Sequence, residues 1–169
     1  MTCCGALGLK YVCDEMLKKL ARWLRIIGYD VASPSGVGDR ELARKSMDEG
    51  RILLTRDRDL ANMRDVDSLL IRSQDLEDQL EEVFRRFPPD DHPPSITRCP
   101  VCNGNLEIIN KESIKNVEKT RKIPPKVYEK QRVFFKCKEC GKYYWIGKHW
   151  EKINMILNRY SLDPLKKLI

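Results

Sequence analysis

The stretch Tyr11-Val12-Cys13-Asp14-Glu15-Met16-Leu17-Lys18-Lys19-Leu20-Ala21-Arg22-Trp23-Leu24-Arg25-Ile26-Ile27-Gly28 decides the fold. It opens on a short apolar run, Leu9 to Cys13, which reads as a strand. Met16, Leu17, Leu20, Trp23, Leu24 and Ile27 then recur at helical spacing, and Gly28 stops the helix. The same alternation continues outward. Tyr29 to Ala32 is a second strand. Asp39 is expected to cap a second helix running through Leu42, Ala43 and Met47, closed by Gly50. Arg51 to Thr55 and Ser68 to Arg72 are further strands, and Leu76, Leu80, Val83, Phe84 and Phe87 line a last helix. Strands alternating with helices predict an α/β architecture, a parallel sheet flanked by helices.

That pattern ends at Phe87-Pro88-Pro89-Asp90-Asp91-His92-Pro93-Pro94, where proline cannot continue a helix or a central strand. The predicted division is residues 9–88 and residues 95–159. In the second part Leu106 to Ile109, Val133 to Phe135 and Tyr143 to Ile146 read as short strands among Cys and Gly. Trp150, Ile153, Met155, Ile156 and Leu157 form a closing helix. Charge divides at the same place: residues 1–90 carry 15 Lys+Arg against 17 Asp+Glu, residues 91–169 carry 17 against 8. An acidic part joined to a basic part points to an anionic partner. No run approaches the roughly 18 apolar residues of a membrane span. The first residues lack the basic start of a secretory signal, so a cytoplasmic protein with reduced thiols is expected.

Cys99-Pro-Val-Cys102-Asn-Gly and Cys137-Lys-Glu-Cys140-Gly-Lys are two C-x-x-C knuckles. Each sets two thiolates on one side of a tight turn, with Gly104 and Gly141 expected to supply its left-handed backbone. Four thiolates make a closed tetrahedral site for structural zinc, with a rubredoxin-like iron centre as the alternative. Such a site has no open position for chemistry. Of the other cysteines, Cys13 reads as a small buried apolar residue, and Cys3 and Cys4 carry no motif. Between the knuckles, residues 111–132 hold eight Lys+Arg against three Glu, among them Lys119, Arg121 and Lys122. Cations interleaved with aromatic residues suit single-stranded RNA, although part of the aromatic set also serves as ribbon core. His149 is open between RNA contact, ligand and helix packing.

The acidic residues of the first part fall at strand ends. Asp14 follows the first strand, Asp39 and Glu41 open the second helix, and Asp57 and Asp59 follow the third strand. Asp75, after the fourth strand, is a further candidate. In a parallel sheet these places share one edge, where ligands bind. Clustered carboxylates repel unless a cation bridges them, and oxygen ligands select Mg2+ or Mn2+. Such an ion can activate water and hold a phosphate, which implies phosphodiester hydrolysis. Simpler roles compete: Asp39 as a helix cap, Glu41 as a partner of the helix dipole, Asp59 as a cap of a short helix.

The run from Tyr11 to Asp30, then Asp39-Arg-Glu-Leu, Gly50-Arg-Ile-Leu-Leu-Thr-Arg-Asp57, Arg98-Cys-Pro-Val-Cys-Asn-Gly and Tyr144-Trp-Ile-Gly-Lys-His-Trp150 resembles the Mut-seven C-terminal RNase domain family. The resemblance covers roughly residues 9–158. It implies a PIN-like nuclease core followed by a zinc ribbon, metal-dependent RNase activity, and Asp14, Asp39 and Asp57 as the matched acidic positions, with Glu41 and Asp59 weaker.

A receiver domain would share the acids after its first and third strands, but the proline joint stands where its fifth-strand lysine belongs. A D-x-D phosphatase is excluded because Met16 stands two residues after Asp14. A non-catalytic RNA- or ribosome-binding protein with a vestigial acidic cluster remains the rival of a Mg2+- or Mn2+-dependent ribonuclease. The basic arm gives a first prediction. Replacing Lys119, Arg121 and Lys122 with Ala should weaken RNA binding and flatten its dependence on salt, measured by titrating RNA at several ionic strengths. An unchanged slope makes the arm a solvated surface only.

Overall fold

The computed structural model describes residues 8–88, 96–114, 123–147 and 149–159. The expected RNA contacts Lys119, Arg121 and Lys122, most of the proline joint, Cys3, Cys4 and the His149 side chain lie outside the described residues. The first part runs Lys10–Cys13 (β1), a 3-10 turn Glu15–Leu17, Lys18–Ile27 (α1), Asp30–Ala32 (β2), Asp39–Glu49 (α2), Ile52–Thr55 (β3), Arg58–Ala61 (α3), Ser68–Leu70 (β4) and Leu76–Arg86 (α4). The second part holds Leu106–Asn110 (β5), a 3-10 turn Lys111–Ser113, Pro125–Lys130 (α5), Val133–Cys137 (β6), Tyr143–Tyr144 (β7) and His149–Asn158 (α6). No helix among the described residues is long and apolar enough to cross a membrane.

The first sheet has the order β2-β1-β3-β4 and is parallel throughout, with Val12 opposite both Ala32 and Leu53. Its central strands are buried on both faces, so they read as unbroken apolar runs. Alternate side chains go to opposite sides. Tyr11, Cys13 and Leu54 pack with α1 and α4, while Val12 and Leu53 pack with Leu42 and Ala43 of α2 and Leu60 of α3. The second sheet, β5-β6-β7, is antiparallel. The α/β architecture and the β-rich second part thus stand as the sequence predicts.

Three local expectations are corrected. Asp39 is not the cap of α2. Gly38 takes that place, its carbonyl accepting from the Glu41 and Leu42 N–H groups, and Asp39 becomes the first helical residue. Met47 is half exposed, and α2 buries Leu42, Ala43 and Ser46 instead. Met16 falls in the 3-10 turn rather than in α1, and its tighter winding turns that side chain to solvent.

The two parts of the chain share a buried cluster. Trp150, Ile153 and Ile156 of α6 belong to the same buried cluster as Tyr11, Leu20 and Leu24. The first cysteine knuckle sits on β2, the edge strand. Asn103 accepts the Val31 N–H through Oδ1 (2.9 Å) and donates from Nδ2 to Asp30 Oδ1 (2.7 Å). Arg25, only 7% exposed, donates to the Val31 carbonyl (2.8 Å) and onward to the carbonyls of Val101 (3.1 Å) and Pro100 (3.3 Å). Both outward groups of Val31 are therefore satisfied, and the sheet edge is closed against other strands. Asp30 also pairs with Arg51 (2.7 Å) and Arg98 (3.3 Å).

Burial pushes the Asp30 carboxyl up, but the hydrogen bonds from Arg51 and Asn103 outweigh it and hold the group below the usual aspartate value. A depressed carboxylate contributes stability that is present above its unfolded pKa and lost as pH falls through the folded one. Asp30→Asn should therefore cost on the order of 1–3 kcal/mol at neutral pH. That difference from wild type, measured by urea unfolding, should shrink as pH drops below about 4.

Candidate active site and metal centre

Asp14 stands at the C-terminal end of β1 and is 9% exposed. Its Oδ1 accepts the Leu17 N–H (3.1 Å), capping the 3-10 turn that leads into α1. Its Oδ2 accepts the Arg56 N–H (3.1 Å) and a short hydrogen bond from the Thr55 hydroxyl. The Thr55 oxygen accepts in turn from the Asp57 N–H (3.0 Å). One buried hydroxyl therefore joins the ends of β1 and β3. Asp57 caps α3, its Oδ1 accepting from the Asp59 (2.7 Å) and Leu60 (3.0 Å) N–H groups. The cap is thus Asp57, and Asp59 lies inside the first turn of the helix it was expected to open.

Asp14, Asp39 and Asp57 line one cleft of about 240 Å3 at this edge of the sheet, together with Glu15 and the apolar side chains of Leu42 and Leu60. Of the other expected residues, Glu41 faces a neighbouring depression with Arg44 and Lys45, and Asp59 is not part of the cleft lining. Asp75 caps α4 through the Glu77 N–H (2.8 Å). Glu15 bridges Lys18 (2.9 Å) and the Gly36 N–H (3.2 Å), which lowers its carboxyl pKa and ties the loop after β2 to the cleft. Cys13 is fully buried behind Asp14. Burial and the adjacent carboxylate push its thiol far up, so it is inert, as its reading as a small apolar residue requires.

Among the described residues, Cys99, Cys102, Cys137 and Cys140 are the one group of three or more potential ligands that converges, with all four sulfurs within 4.8 Å of one another. Tetrahedral zinc–thiolate bonds of about 2.3 Å set sulfurs roughly 3.8 Å apart. The Cys99–Cys140 and Cys102–Cys137 separations are 3.7 and 3.4 Å. Four soft donors at this spacing can hold a zinc ion. Burial raises the Cys99 thiol, but hydrogen bonds from the Tyr144 hydroxyl (3.0 Å) and the loop backbone outweigh it and bring it down to about 7. The knuckles differ from expectation in one turn. Gly141 takes the left-handed backbone in the second (φ 66°), but in the first Asn103 does so (φ 67°), not Gly104. Gly104 serves close approach instead: a Cβ there would meet the Glu139 carboxylate.

A family model for the Mut7-C RNAse domain matches residues 9–157. The chain belongs to the Mut7-C RNAse domain family. No curated protein and no solved structure matches it. The Mut7-C match spans the parallel sheet, the cleft, the cysteine cluster and nearly all of α6, so both parts of the chain are one family unit.

Sequence reasoning missed Thr55, Arg25 and Asn103. Thr55 is a hydroxyl ending a fully buried apolar strand, which is a legible signal for a buried hydrogen bond. Arg25 sits among the buried positions of α1, where a cation needs partners. Asn103 had only its place after Cys102 to mark it. Because Asn103 and Arg25 join the knuckle to the sheet, metal loss should reach the core. Protein purified without added zinc should hold about one zinc per chain. Removing it with a strong chelator should lower the melting temperature of the whole chain in a single calorimetric transition. Two separate transitions, with the parallel sheet unaffected, would show that the docking carries no stability.

Proposed function

We propose that the protein is a metal-dependent ribonuclease that hydrolyses RNA phosphodiester bonds at the cleft of Asp14, Asp39 and Asp57, with a structural zinc ribbon and a basic arm that bind RNA. The observation that carries this is that three carboxylates, from the ends of β1 and β3 and the start of α2, line one cleft of a Mut7-C RNAse chain. The three carboxylates do not close on one another as the four sulfurs do, so Mg2+ or Mn2+, the ions that oxygen donors select, would be held here partly through water. The ion would supply positive charge for phosphate and lower the pKa of an attacking water. The chain's own work is orientation. Asp14 is held by three donors, Asp57 is fixed by its cap, and Thr55 couples the two. The Asp39 side chain has no hydrogen-bond partner among the described residues and is exposed, so it is free to turn toward substrate or ion.

One observation favours the rival, a non-catalytic RNA- or ribosome-binding protein. Both Asp14 oxygens are already used inside the fold, as they would be in a purely structural residue. This also decides which variants test the proposal. Asn at residue 14 cannot accept all three hydrogen bonds, and one unmade bond costs about 1–3 kcal/mol. Asp57→Asn keeps an equally good cap and Asp39→Asn breaks no bond, so both should fold as wild type. Each should lower cleavage of a mixed RNA pool in Mn2+ by about a hundredfold or more while RNA affinity stays unchanged. Products should carry 5′-phosphate and 3′-hydroxyl ends. If pure wild-type protein cuts no RNA in Mg2+ or Mn2+, or either variant cuts equally well, the binding protein is the correct description.

A further inference from the structure

A second cleft, of about 90 Å3, lies where α1, the ribbon and α6 meet. Phe135, Trp150 and Ile153 form its buried floor, and the half-buried rings of Tyr144 and Trp145 stand at its walls. Arg22 and Ile146 are its exposed rim. Two features point to a ligand. The Tyr144 and Trp145 rings, in part open to solvent, offer faces on which a planar group can stack. Arg22 carries a full charge with no ion-pair or hydrogen-bond partner among the described residues.

We propose that this cleft receives one unpaired base of the RNA, with its backbone phosphate against Arg22. The proposal rests on RNA being the substrate, as above. The space takes the leading part of one planar ring and excludes a whole nucleotide, so sugar and phosphate stay at the rim. Bases stack on aromatic side chains, and every base has a face for it. An aliphatic ligand would leave both the ring faces and Arg22 unused. The path between the clefts has the matching charge. The 3-10 turn capped by Asp14 leads into α1, which ends at Gly28 beside the ribbon. Lys18, Lys19 and Arg22 are exposed along it, and Lys18, Arg22 and the cleft residue Ile26 follow at i, i+4 spacing on one face. Ten residues of helix span about 15 Å, the reach of a few nucleotides. The bound base therefore lies a few nucleotides from the bond that is cut. Tyr144 links the two roles of the ribbon, since its ring walls this cleft while its hydroxyl bonds Cys99 Sγ.

The test uses the full chain and a set of short single-stranded RNAs, each lacking the base at one position. Cleavage is mapped in Mn2+, and affinity is measured on the same set with Asp39→Asn. Wild-type protein should show one position, at a fixed offset from the cut, where losing the base lowers kcat/KM by about tenfold, the scale of one stacked base. In Ile146→Ala and Trp145→Ala that penalty should vanish, so that intact and base-free RNA are handled alike. Because Ile146 is exposed, its variant should melt as wild type does. RNA that is cut with no such position, or with a penalty unchanged in both variants, overturns the cleft and leaves the ribonuclease standing. A protein that binds RNA without cutting it is judged by affinity on the same set. If RNA is neither bound nor cut, the ribonuclease itself is overturned, and this site with it.

Discussion

The structure depends on how Asn103 meets β2. An edge strand leaves backbone groups without partners, and here one side chain and one arginine use both groups of Val31. Asn103 can do this because it occupies the left-handed turn position of the first knuckle, a conformation that Asn tolerates better than most residues. The turn that gathers Cys99 and Cys102 is thereby the turn that aims Asn103 at the sheet. A metal bound at the cysteines fixes the turn, the turn fixes the side chain, and the side chain seals the sheet. Asp30, Arg51 and Arg98 surround this contact with charge that is largely withdrawn from water.

At the other end of the strands a second buried network sets the acidic cleft. Asp14 is expensive to bury alone, and three donors satisfy it. Two of those donors come from residues 55 and 56, immediately before Asp57, so the geometry of one acid is tied to that of the next. The arrangement resembles the sheet edge in logic: a polar group that the fold exposes to desolvation is answered by a residue from a distant stretch. It also separates Asp14, locked in the framework, from Asp39, which is free to respond to what enters.

How much of this was legible in the sequence follows from what each feature depends on. The strand–helix alternation was readable because burial on two faces demands long apolar runs in β1 and β3 and a regular stripe in α1. The four cysteines were readable because metal geometry restricts spacing so tightly. The cap at Gly38 rather than Asp39 was not, since both residue types suit that position. Nor was the role of Asn103. It stands directly after one of the four clustered cysteines, and nothing local reveals that a strand more than seventy residues earlier lies within reach. The acids at strand ends were located by topology, whereas Asp59 and Glu41, one turn or less away, point elsewhere because helical periodicity rotates them off the edge.

The packing of α6 against α1 has a consequence in time. A core opened by Tyr11 is completed only by Trp150, Ile153 and Ile156. At translation rates of about 5–20 residues per second, the apolar face of α1 waits on the order of ten seconds or more for its last partners. Until then the emerging chain carries an unfinished hydrophobic surface and an undocked sheet edge, both of which invite chaperones or neighbouring chains. The acidic cleft sits on that same sheet, so a chain still being made has the residues of the site but not the completed scaffold behind them. The scaffold behind the cleft is complete only after the second part of the chain has left the ribosome.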